Sequence, residues 1–203
     1  MSDPQAKPVF ELDRREAVPA IIGRHEDFLI VAGLAGTAFD LSVLAGTHAP
    51  HVFAMGGAMG AAVMTGLGLA LAQPDKRVLV ATGDGELLMN VGALATVGVL
   101  NPPNLRILCV DNGHYGETGY QKSHTSLGVD LEQMAVGAGI KSTCTVQRQP
   151  EIAAGARMLR ESNGTCFVLL RVNTEDADKS KLSLDAPAAR IRFRQASTTS
   201  VDN

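Results

Sequence analysis

The chain has 203 residues, with 45% apolar and 19% charged side chains and a formal net charge of −3. This composition is typical of one globular domain and gives no electrostatic reason to expect nucleic acid or an anionic membrane surface as a partner. The three cysteines, Cys109, Cys144 and Cys166, are far apart and the N-terminus lacks an apolar signal core, so we expect buried free thiols in a cytoplasmic protein.

The first predicted elements lead to a turn of small residues. Residues 1–10 contain two prolines and are expected to form a flexible arm. Residues 12–23 have the apolar spacing of an amphipathic helix, which Pro19 should kink or split. Residues 28–32 form an apolar strand, and in the turn that follows Thr37 is placed to cap the next helix. Exposed N–H groups at such a helix start bind phosphate, although an ordinary strand-to-helix connection is the alternative.

Two predicted strands end in polar, glycine-containing turns. Residues 78–82 are continuously apolar, as in a strand that is covered on both faces, and they end in Gly83-Asp84-Gly85. A helix over residues 86–100 then leads to a second apolar strand over residues 105–110, which ends in Asp111-Asn112-Gly113. In an open α/β sheet both turns would lie at the carboxyl ends of the strands, where ligands bind.

The remaining segments alternate between helix and strand. Residues 61–72 are small and apolar, so we expect a helix that is buried on all sides. The loop from Asn112 to Asp130 is long and polar, as functional lids are. Further elements are a helix over residues 131–139, a strand over 143–147, a helix over 150–160 and a strand over 166–172. This alternation predicts an α/β fold, doubly wound, with a mainly parallel sheet and helices on both faces.

The pattern weakens towards the C-terminus. We expect a single domain over residues 11–175 and a C-terminal tail over residues 176–203. Within the tail, residues 188–194 are expected to dock as an edge strand, and residues 195–203 to be disordered.

Asp84 and Asn112 are the candidate metal ligands, because the fold would bring their loops to one edge of the sheet. A carboxylate, an amide oxygen and backbone carbonyls suit Mg²⁺ or Ca²⁺, and Mg²⁺ usually shares its coordination sphere with phosphate oxygens. We therefore predict a diphosphate ligand held through Mg²⁺. The alternative is that Gly83-Asp84-Gly85 is only a strand-to-helix turn in which the aspartate caps the helix.

The two motifs and their spacing resemble the signature of thiamine-diphosphate-dependent enzymes. In that signature Gly-Asp-Gly is followed, after a crossover such as residues 86–110, by Asn-Asn or Asp-Asn. A second match is Gly57-Ala58-Met59-Gly60, which is similar to the family's Gly-x-Met-Gly segment. The loop over residues 111–121 is most similar to the small subunit of sulfopyruvate decarboxylase and to phosphonopyruvate decarboxylase. The resemblance covers residues 28–172 and implies the thiamine-diphosphate-binding fold.

The resemblance also implies roles for individual residues. Gly36 and Thr37 would hold the diphosphate. The Gly57 carbonyl would accept a hydrogen bond from the cofactor's amino group, and Met59 would wedge beneath the cofactor and bend it into a V shape. The implied cofactor-binding residues are Gly36, Thr37, Gly57, Ala58, Met59, Gly83, Asp84, Gly85, Glu86, Asn112, His114, Tyr115 and Gly116.

The implied ligands of Mg²⁺ are Asp84, Asn112 and the backbone carbonyl of His114. Two acids depart from the family pattern. Glu86 stands where a small polar residue is usual, and because a diphosphate would repel it, its side chain should turn to solvent or approach the ion. Glu117 replaces a small hydroxyl residue, and an acid there disfavours a doubly charged substrate such as sulfopyruvate. The candidate substrate-contacting residues are Glu117, Lys122 and His124, although the last two are equally well read as exposed loop residues.

The resemblance implies a partner chain. Thiamine enzymes combine two modules, and this chain has room for the diphosphate-binding module only. We therefore expect a pyrimidine-binding (PYR-type) partner subunit that supplies the catalytic glutamate. The expected function is a heteromeric 2-oxo acid decarboxylase, a lyase that is inactive as a single chain, with a homodimer as the alternative state of the isolated chain. A subunit of a carboligase of the acetolactate-synthase type and a non-catalytic cofactor-binding module stay open as alternatives.

Overall fold

Six parallel strands form the central sheet of the computed structural model, which describes residues 10–179, 183 and 185–198. Every neighbouring pair in this sheet is parallel, and two further short strands pair antiparallel as a separate hairpin. The strands are β1 (Leu29–Ala32), β2 (Val52–Ala54), β3 (Val78–Gly83), β4 (Leu105–Asp111), β5 (His114–Tyr115), β6 (Gln121–Lys122), β7 (Ser142–Val146) and β8 (Cys166–Arg171). The order across the main sheet is β2-β1-β3-β4-β8-β7, which confirms the predicted doubly wound α/β fold.

Helices cover both faces of the sheet. They are α1 (Arg14–Ile22), α2 (Gly36–Ala45), α3 (Ala62–Ala72), α4 (Asp84–Met89), α5 (Ala93–Leu100), α6 (Leu131–Gly137), α7 (Ile152–Glu161) and α8 (Ala186–Thr198). Alternate strand residues point to opposite faces: Ile30 packs in a core with α1, α2 and α7, whereas Val31 packs in a second core with α3, α4, α5 and α6. None of the helices among the described residues combines the length and apolar character that a bilayer crossing requires.

The chain changes direction between β1 and β3, and this reversal creates a crevice. From β1 the chain runs outward to β2 at one side of the sheet, and it returns to place β3 on the other side of β1. The helix after β1 packs on one face and the helix after β3 on the opposite face, so the loops that start them diverge. Such switch points are where open α/β sheets bind ligands.

The helix predicted over residues 86–100 is two helices, α4 and α5. The break lies at Asn90, whose backbone N–H still bonds to the Leu87 carbonyl while its side-chain amide donates to the Gly60 carbonyl at 3.2 Å. The helix therefore ends at Asn90, and the Asn90 side chain contacts another loop instead. A periodicity argument cannot detect this, because the contact is tertiary.

The C-terminal region contains α8 in place of the edge strand predicted over residues 188–194, so that prediction is wrong. The spacing of Ile191 and Phe193 imitates a strand, but Asp185 caps the helix start by accepting the Ala188 N–H at 3.0 Å, and alanine favours helix. The Phe193 ring packs on Phe53 of β2, 5.6 Å between centroids. The predicted disorder from residue 195 is also wrong as far as Thr198, and residues 199–203 lie outside the described residues.

Three smaller expectations were wrong in detail. Pro19 does not split α1, which runs through it. Thr37 does not cap α2: the N-cap is Ala35, and the Thr37 hydroxyl donates to the Leu34 carbonyl at 2.9 Å. Helix α3 is not buried on all sides, because Met64 and Leu71 face outward. The three cysteines are free, as expected, with Cys144 only half-buried. The arm predicted over residues 1–10 lies, except for Phe10, outside the described residues.

Candidate functional site

A cavity of about 550 Å³ opens at the carboxyl edge of the sheet, at the switch point. Its walls are residues 34–37 after β1, residues 83–86 after β3 and residues 114–118 after β4, with Met59 at one side. All of the sequence-assigned cofactor-binding residues line it except Gly57 and Ala58, which are exposed beside it. The fold thus gathers residues that are far apart in the sequence, and their binding of a cofactor stays a prediction.

Asp84 lies at the floor of the cavity, in the first turn of α4, and is buried. Its Oδ2 accepts hydrogen bonds from the Ser123 hydroxyl and, at 3.2 Å, from the Thr125 hydroxyl. Burial and the neighbouring Asp111 carboxylate raise the pKa of Asp84 to about 7, and the hydroxyl bonds oppose this shift only in part. The protein therefore stabilises the ionised form of this carboxylate only in part.

Asp111, the last residue of β4, is a second buried carboxylate that the sequence argument did not assign to the site. Its Oδ1 accepts from the Thr125 hydroxyl at 2.7 Å and from the Gly113 N–H at 2.9 Å. Among the described residues, its Oδ2 has no hydrogen-bond partner, and Arg171 Nε lies 3.8 Å from it. Burial raises the pKa of Asp111. An acid that ends an otherwise apolar strand is the signal that could have identified it.

Asn112 and His114 form the opposite wall. Asn112 Oδ1 accepts the His114 N–H at 3.1 Å, and His114 Nδ1 lies 2.9 Å from the Asn112 carbonyl oxygen. The backbone thus engages one ring nitrogen of the imidazole. No group of three histidine, cysteine or acidic side chains that could hold a metal occurs among the described residues. An ion here would need one carboxylate plus amide and carbonyl oxygens, as hard cations accept.

Glu86 does not turn to solvent, which corrects one of the two expectations for it. The side chain is buried against Gly33, where an added Cβ would lie 1.7 Å from Glu86 Oε2. Oε2 accepts a hydrogen bond from the Thr82 hydroxyl at 2.9 Å, and Oε1 has no hydrogen-bond partner in the part of the chain that the structure describes. Burial raises the pKa of Glu86, while the Thr82 hydroxyl and nearby backbone N–H groups oppose the shift. The carboxyl group therefore braces the loop after β1 against the end of β3.

The start of α2 lies under a guanidinium group. A Cβ at Gly36 would lie 2.5 and 2.6 Å from the terminal nitrogens of Arg14, so glycine is required for this approach. Arg14 comes from α1, is buried, and lines the cavity. The sequence argument missed it, because nothing in the local sequence of α1 indicates that this arginine points across to another helix start.

The segment around Met59 is open on one side. Met59 lines the cavity and is 38% exposed, and its N–H bonds to the Gly57 carbonyl at 3.1 Å. The Gly60 carbonyl is fixed by the Asn90 side chain. Hydrogen bonds of the neighbouring backbone therefore fix the position of Met59, while part of its side chain stays exposed and could contact a ligand.

The lid predicted between β4 and α6 contains β5, β6 and two turns of 3₁₀ helix. Tyr115 packs against the backbone of Gly85, and Glu117 lines the cavity. Tyr120 has a left-handed backbone (φ 59°) and its hydroxyl donates to Asp176, which joins the lid to the segment after β8. Lys122 and His124 are exposed and do not line the cavity, so the structure does not bring them to the other site residues.

Comparison with known proteins gives a consistent result. Residues 37–170 match the family model described as thiamine pyrophosphate enzyme, C-terminal TPP binding domain. The chain is 48% identical over 145 residues to sulfopyruvate decarboxylase subunit beta of Methanocaldococcus jannaschii, which covers 71% of this chain and 76% of that one. It is 37% identical over 148 residues to phosphonopyruvate decarboxylase of Streptomyces viridochromogenes, which covers 72% of this chain and 37% of that protein.

A solved structure shares the fold. The X-ray structure of a thiamin diphosphate-dependent enzyme from Mycobacterium smegmatis matches with a TM-score of 0.65 at 23% identity, over 78% of this chain and 31% of that one. At this identity the likeness concerns the fold alone. The present chain spans about a third of the length of that protein and of the phosphonopyruvate decarboxylase.

Proposed function

The chain belongs to the thiamine pyrophosphate enzymes, whose C-terminal TPP binding domain it matches, and from that premise we propose that it is the cofactor-binding subunit of a heteromeric 2-oxo acid decarboxylase. The family resemblance read from the sequence is thereby confirmed. The names of the relatives support the reaction, and the name of the first supports the status of a subunit. The observation that carries the proposal is the pair of neighbouring buried carboxylates at the switch point: Asp111 raises the pKa of Asp84 at the cavity floor, and Asp111 Oδ2 has no hydrogen-bond partner among the described residues.

The donor chemistry of the cavity fits Mg²⁺ and a diphosphate. Asp84 and Asn112 would hold the ion with the His114 carbonyl, because a divalent cation offsets negative charge that the protein leaves unbalanced. Phosphate oxygens would complete the coordination of the ion. They would also accept hydrogen bonds from the backbone N–H groups of residues 36 and 37 at the start of α2. Glu86 would act indirectly, because its side chain supports the loop that carries these N–H groups.

The chain's own residues position and shield the reacting group. When bound, thiamine diphosphate supplies a carbanion that attacks the 2-oxo acid carbonyl and a ring that accepts the electron pair released with carbon dioxide. Met59 would support the cofactor from below, and the Gly57 carbonyl would orient its amino group. The lid that carries Tyr115 and Glu117 would exclude water from the cavity while the substrate is held.

A pyrimidine-binding partner subunit would complete the site. The cavity is open beside Met59, and the helices next to it expose large apolar side chains: Met64 and Leu71 on α3, Met89 on α4, and Val99 on α5. Large apolar side chains exposed on neighbouring helices suit protein association. We assign it to the partner subunit, which would supply the glutamate that activates the cofactor.

Reconstitution with the partner subunit tests this function. We expect the two subunits together, with thiamine diphosphate and Mg²⁺, to release carbon dioxide and an aldehyde from a 2-oxo acid, and the single chain to be inactive. Calorimetry on the complex should show cofactor uptake that requires Mg²⁺. The proposal is wrong if the complex binds no thiamine diphosphate. If a 2-oxo acid plus an aldehyde gives a coupled hydroxyketone as the main product, the reaction is carboligation instead.

A further inference from the structure

Arg14 is a buried cation of the cavity to which neither the sequence motifs nor the proposed function assigns a role. Its side chain is 6% exposed and lines the cavity wall together with residues 34–37. It enters from α1, which precedes the sheet, and its guanidinium lies directly over Gly36 at the start of α2. A buried positive charge and the first N–H groups of a ten-residue helix therefore face the same space.

Asp40 holds the guanidinium by one edge. Arg14 Nε lies 3.2 Å from both carboxylate oxygens of Asp40, and Nη2 donates to Oδ2 at 2.7 Å. The remaining terminal nitrogen, Nη1, makes no hydrogen bond within the described residues. Because Asp40 lies one turn along α2, the ion pair fixes the guanidinium relative to the start of that helix. Arginine presents its N–H groups in a rigid planar fork, so fixing one edge also aims the other.

Stability alone is a weak reason for this arrangement. A buried ion pair contributes little net stability compared with apolar residues of the same volume, because both charges lose their hydration. The loss of hydration also raises the pKa of Asp40 despite the adjacent arginine. An Arg–Asp pair in a cavity wall is better explained by a bound group that uses the free edge of the guanidinium.

The charge balance of the cavity points the same way. Four carboxylates line it, namely Asp84, Glu86, Glu117 and Asp176, whereas the lining lysine and arginine side chains among the described residues are Lys179 and Arg14. An anionic ligand would be repelled from such a cavity unless fixed cations offset the acids. A divalent ion can do this at Asp84. At the start of α2, Arg14 is the buried side chain that can do it.

We propose that Arg14 is an anion-binding residue of this site, whose guanidinium binds an acidic oxygen group of a molecule held in the cavity, with Asp40 as its positioning residue. The proposal rests on the proposed function, because it is thiamine diphosphate and an acidic substrate that bring such groups to the cavity. Two sources have the required chemistry: the terminal phosphate of the diphosphate, and a second acid group on the 2-oxo acid.

Two variants and a control test the proposal in the assembled enzyme. Arg14→Gln with Asp40→Asn removes both charges and keeps hydrogen-bonding groups, so no buried charge is left alone to unfold the chain. Asp40→Asn by itself keeps the guanidinium in the cavity and removes only its neutralising partner. Arg15→Gln is the matched control, since it removes one positive charge from the neighbouring position of α1, where Arg15 pairs with Asp13 at the surface.

The first arm measures binding by calorimetry with Mg²⁺ present, with thiamine diphosphate and thiamine monophosphate as probes. If Arg14 binds the terminal phosphate, the double variant loses about 10- to 100-fold in affinity for the diphosphate, as expected for a charge-assisted hydrogen bond. Its affinity for the monophosphate then stays within about twofold of the unaltered enzyme. Asp40→Asn alone keeps the positive charge and one acceptor for it but aims the guanidinium less firmly, so it causes a smaller loss of affinity for the diphosphate than the double variant does.

The second arm measures KM for two 2-oxo acids, one with a second acid group and one without. If Arg14 binds the substrate, the double variant raises KM about 10- to 100-fold for the diacid only, with cofactor affinity unchanged. The proposal is overturned if both arms change no more than in Arg15→Gln, or if Asp40→Asn alone causes the same losses as the double variant. A failure of the unaltered complex to bind thiamine diphosphate would instead refute the proposed function.

Discussion

The two edges of the sheet treat buried polar groups in opposite ways. At the amino edge, Arg106 donates five hydrogen bonds to backbone carbonyls, at 2.8 to 3.0 Å. The side-chain amide of Asn104 bonds to three more carbonyls, those of Ala70, Gln73 and Lys76. These side chains satisfy the ends of helices and turns that would otherwise be buried without partners, so this edge is built for stability.

The carboxyl edge leaves polar groups unsatisfied. The buried side-chain atoms without a hydrogen-bond partner among the described residues are Glu86 Oε1, Asp111 Oδ2 and Arg171 Nε, and all three lie at this edge. Each such atom costs about 1–3 kcal/mol of folding free energy. Because buried polar groups are satisfied at the amino edge and not at the carboxyl edge, we infer that the carboxyl edge binds ligands.

The largest expected effect concerns the amino edge. Arg106→Met should lower the free energy of unfolding by about 3–5 kcal/mol, because it leaves several buried carbonyls without partners. Arg171→Met on the neighbouring strand β8 is the control and should cost less than half as much, because within the described residues its Nε makes no hydrogen bond and its contacts with Asp111 and Asp130 are as long as 3.8 and 3.9 Å. Urea denaturation of the ligand-free chain gives both values. Equal losses in the two variants would remove the distinction between the edges.

The next effect concerns the carboxyl edge. Asp84→Asn should weaken the Mg²⁺-dependent binding of thiamine diphosphate by about 100-fold, since the carboxylate that would hold the ion is lost. The ligand-free chain should not be destabilised, because the change removes one of two neighbouring buried carboxylates. Calorimetry on the complex and thermal melting of the chain measure the two quantities.

Glu132→Gln is the control for Asp84→Asn, because Glu132 also accepts from two hydroxyls, those of Thr143 and Thr145, but lies outside the cavity. It should leave cofactor binding unchanged and slightly reduce the melting temperature. A lower melting temperature for Asp84→Asn, with intact binding, would mean that Asp84 has a structural role only.

The smallest effect is a pH dependence at the amino edge. His51 Nε2 lies 2.9 Å from His25 Nδ1, with the rings stacked, and burial together with His25 lowers the pKa of His51. The folded chain therefore binds this proton less tightly than the unfolded chain, in which the pKa is about 6.5. Above pH 6.5 the neutral histidine therefore costs no stability. As the pH drops below 6.5, the free energy of unfolding should fall by less than about 1 kcal/mol.

Urea midpoints at pH 7.5 and 5.5 measure this dependence, with His51→Gln as the comparison. The variant should show a smaller fall between the two pH values than the unaltered chain. An equal fall would assign the pH dependence to groups other than this histidine pair.

Much of the fold follows from local pattern. Continuous apolar runs such as residues 78–82 fit a strand buried on both faces. The alternation of such strands with helices predicted the doubly wound α/β fold. The predicted edge strand over residues 188–194 failed because the capping by Asp185 and the packing of Phe193 on Phe53 outweigh a short alternating pattern. Similarly, the break at Asn90 depends on a carbonyl 30 residues away.

The candidate site divides in the same way. Asp84 and Asn112 could be found because each follows a strand end that a parallel sheet brings to the carboxyl edge. Asp111 was read only as part of a motif, and the burial of Glu86 beneath the loop after β1 was not foreseen. Both depend on which neighbour fills the space beside them, and neighbours in a sheet are distant in the sequence.

By itself, the sequence determined the fold class, the family and the loops that meet at the site, because apolar periodicity and glycine turns act over a few residues. The tertiary structure alone decided that Arg14 reaches the start of α2 and that three buried atoms at the carboxyl edge lack partners among the described residues. Burial, hydrogen-bond satisfaction and charge balance depend on contacts between residues that the chain brings together only when it folds.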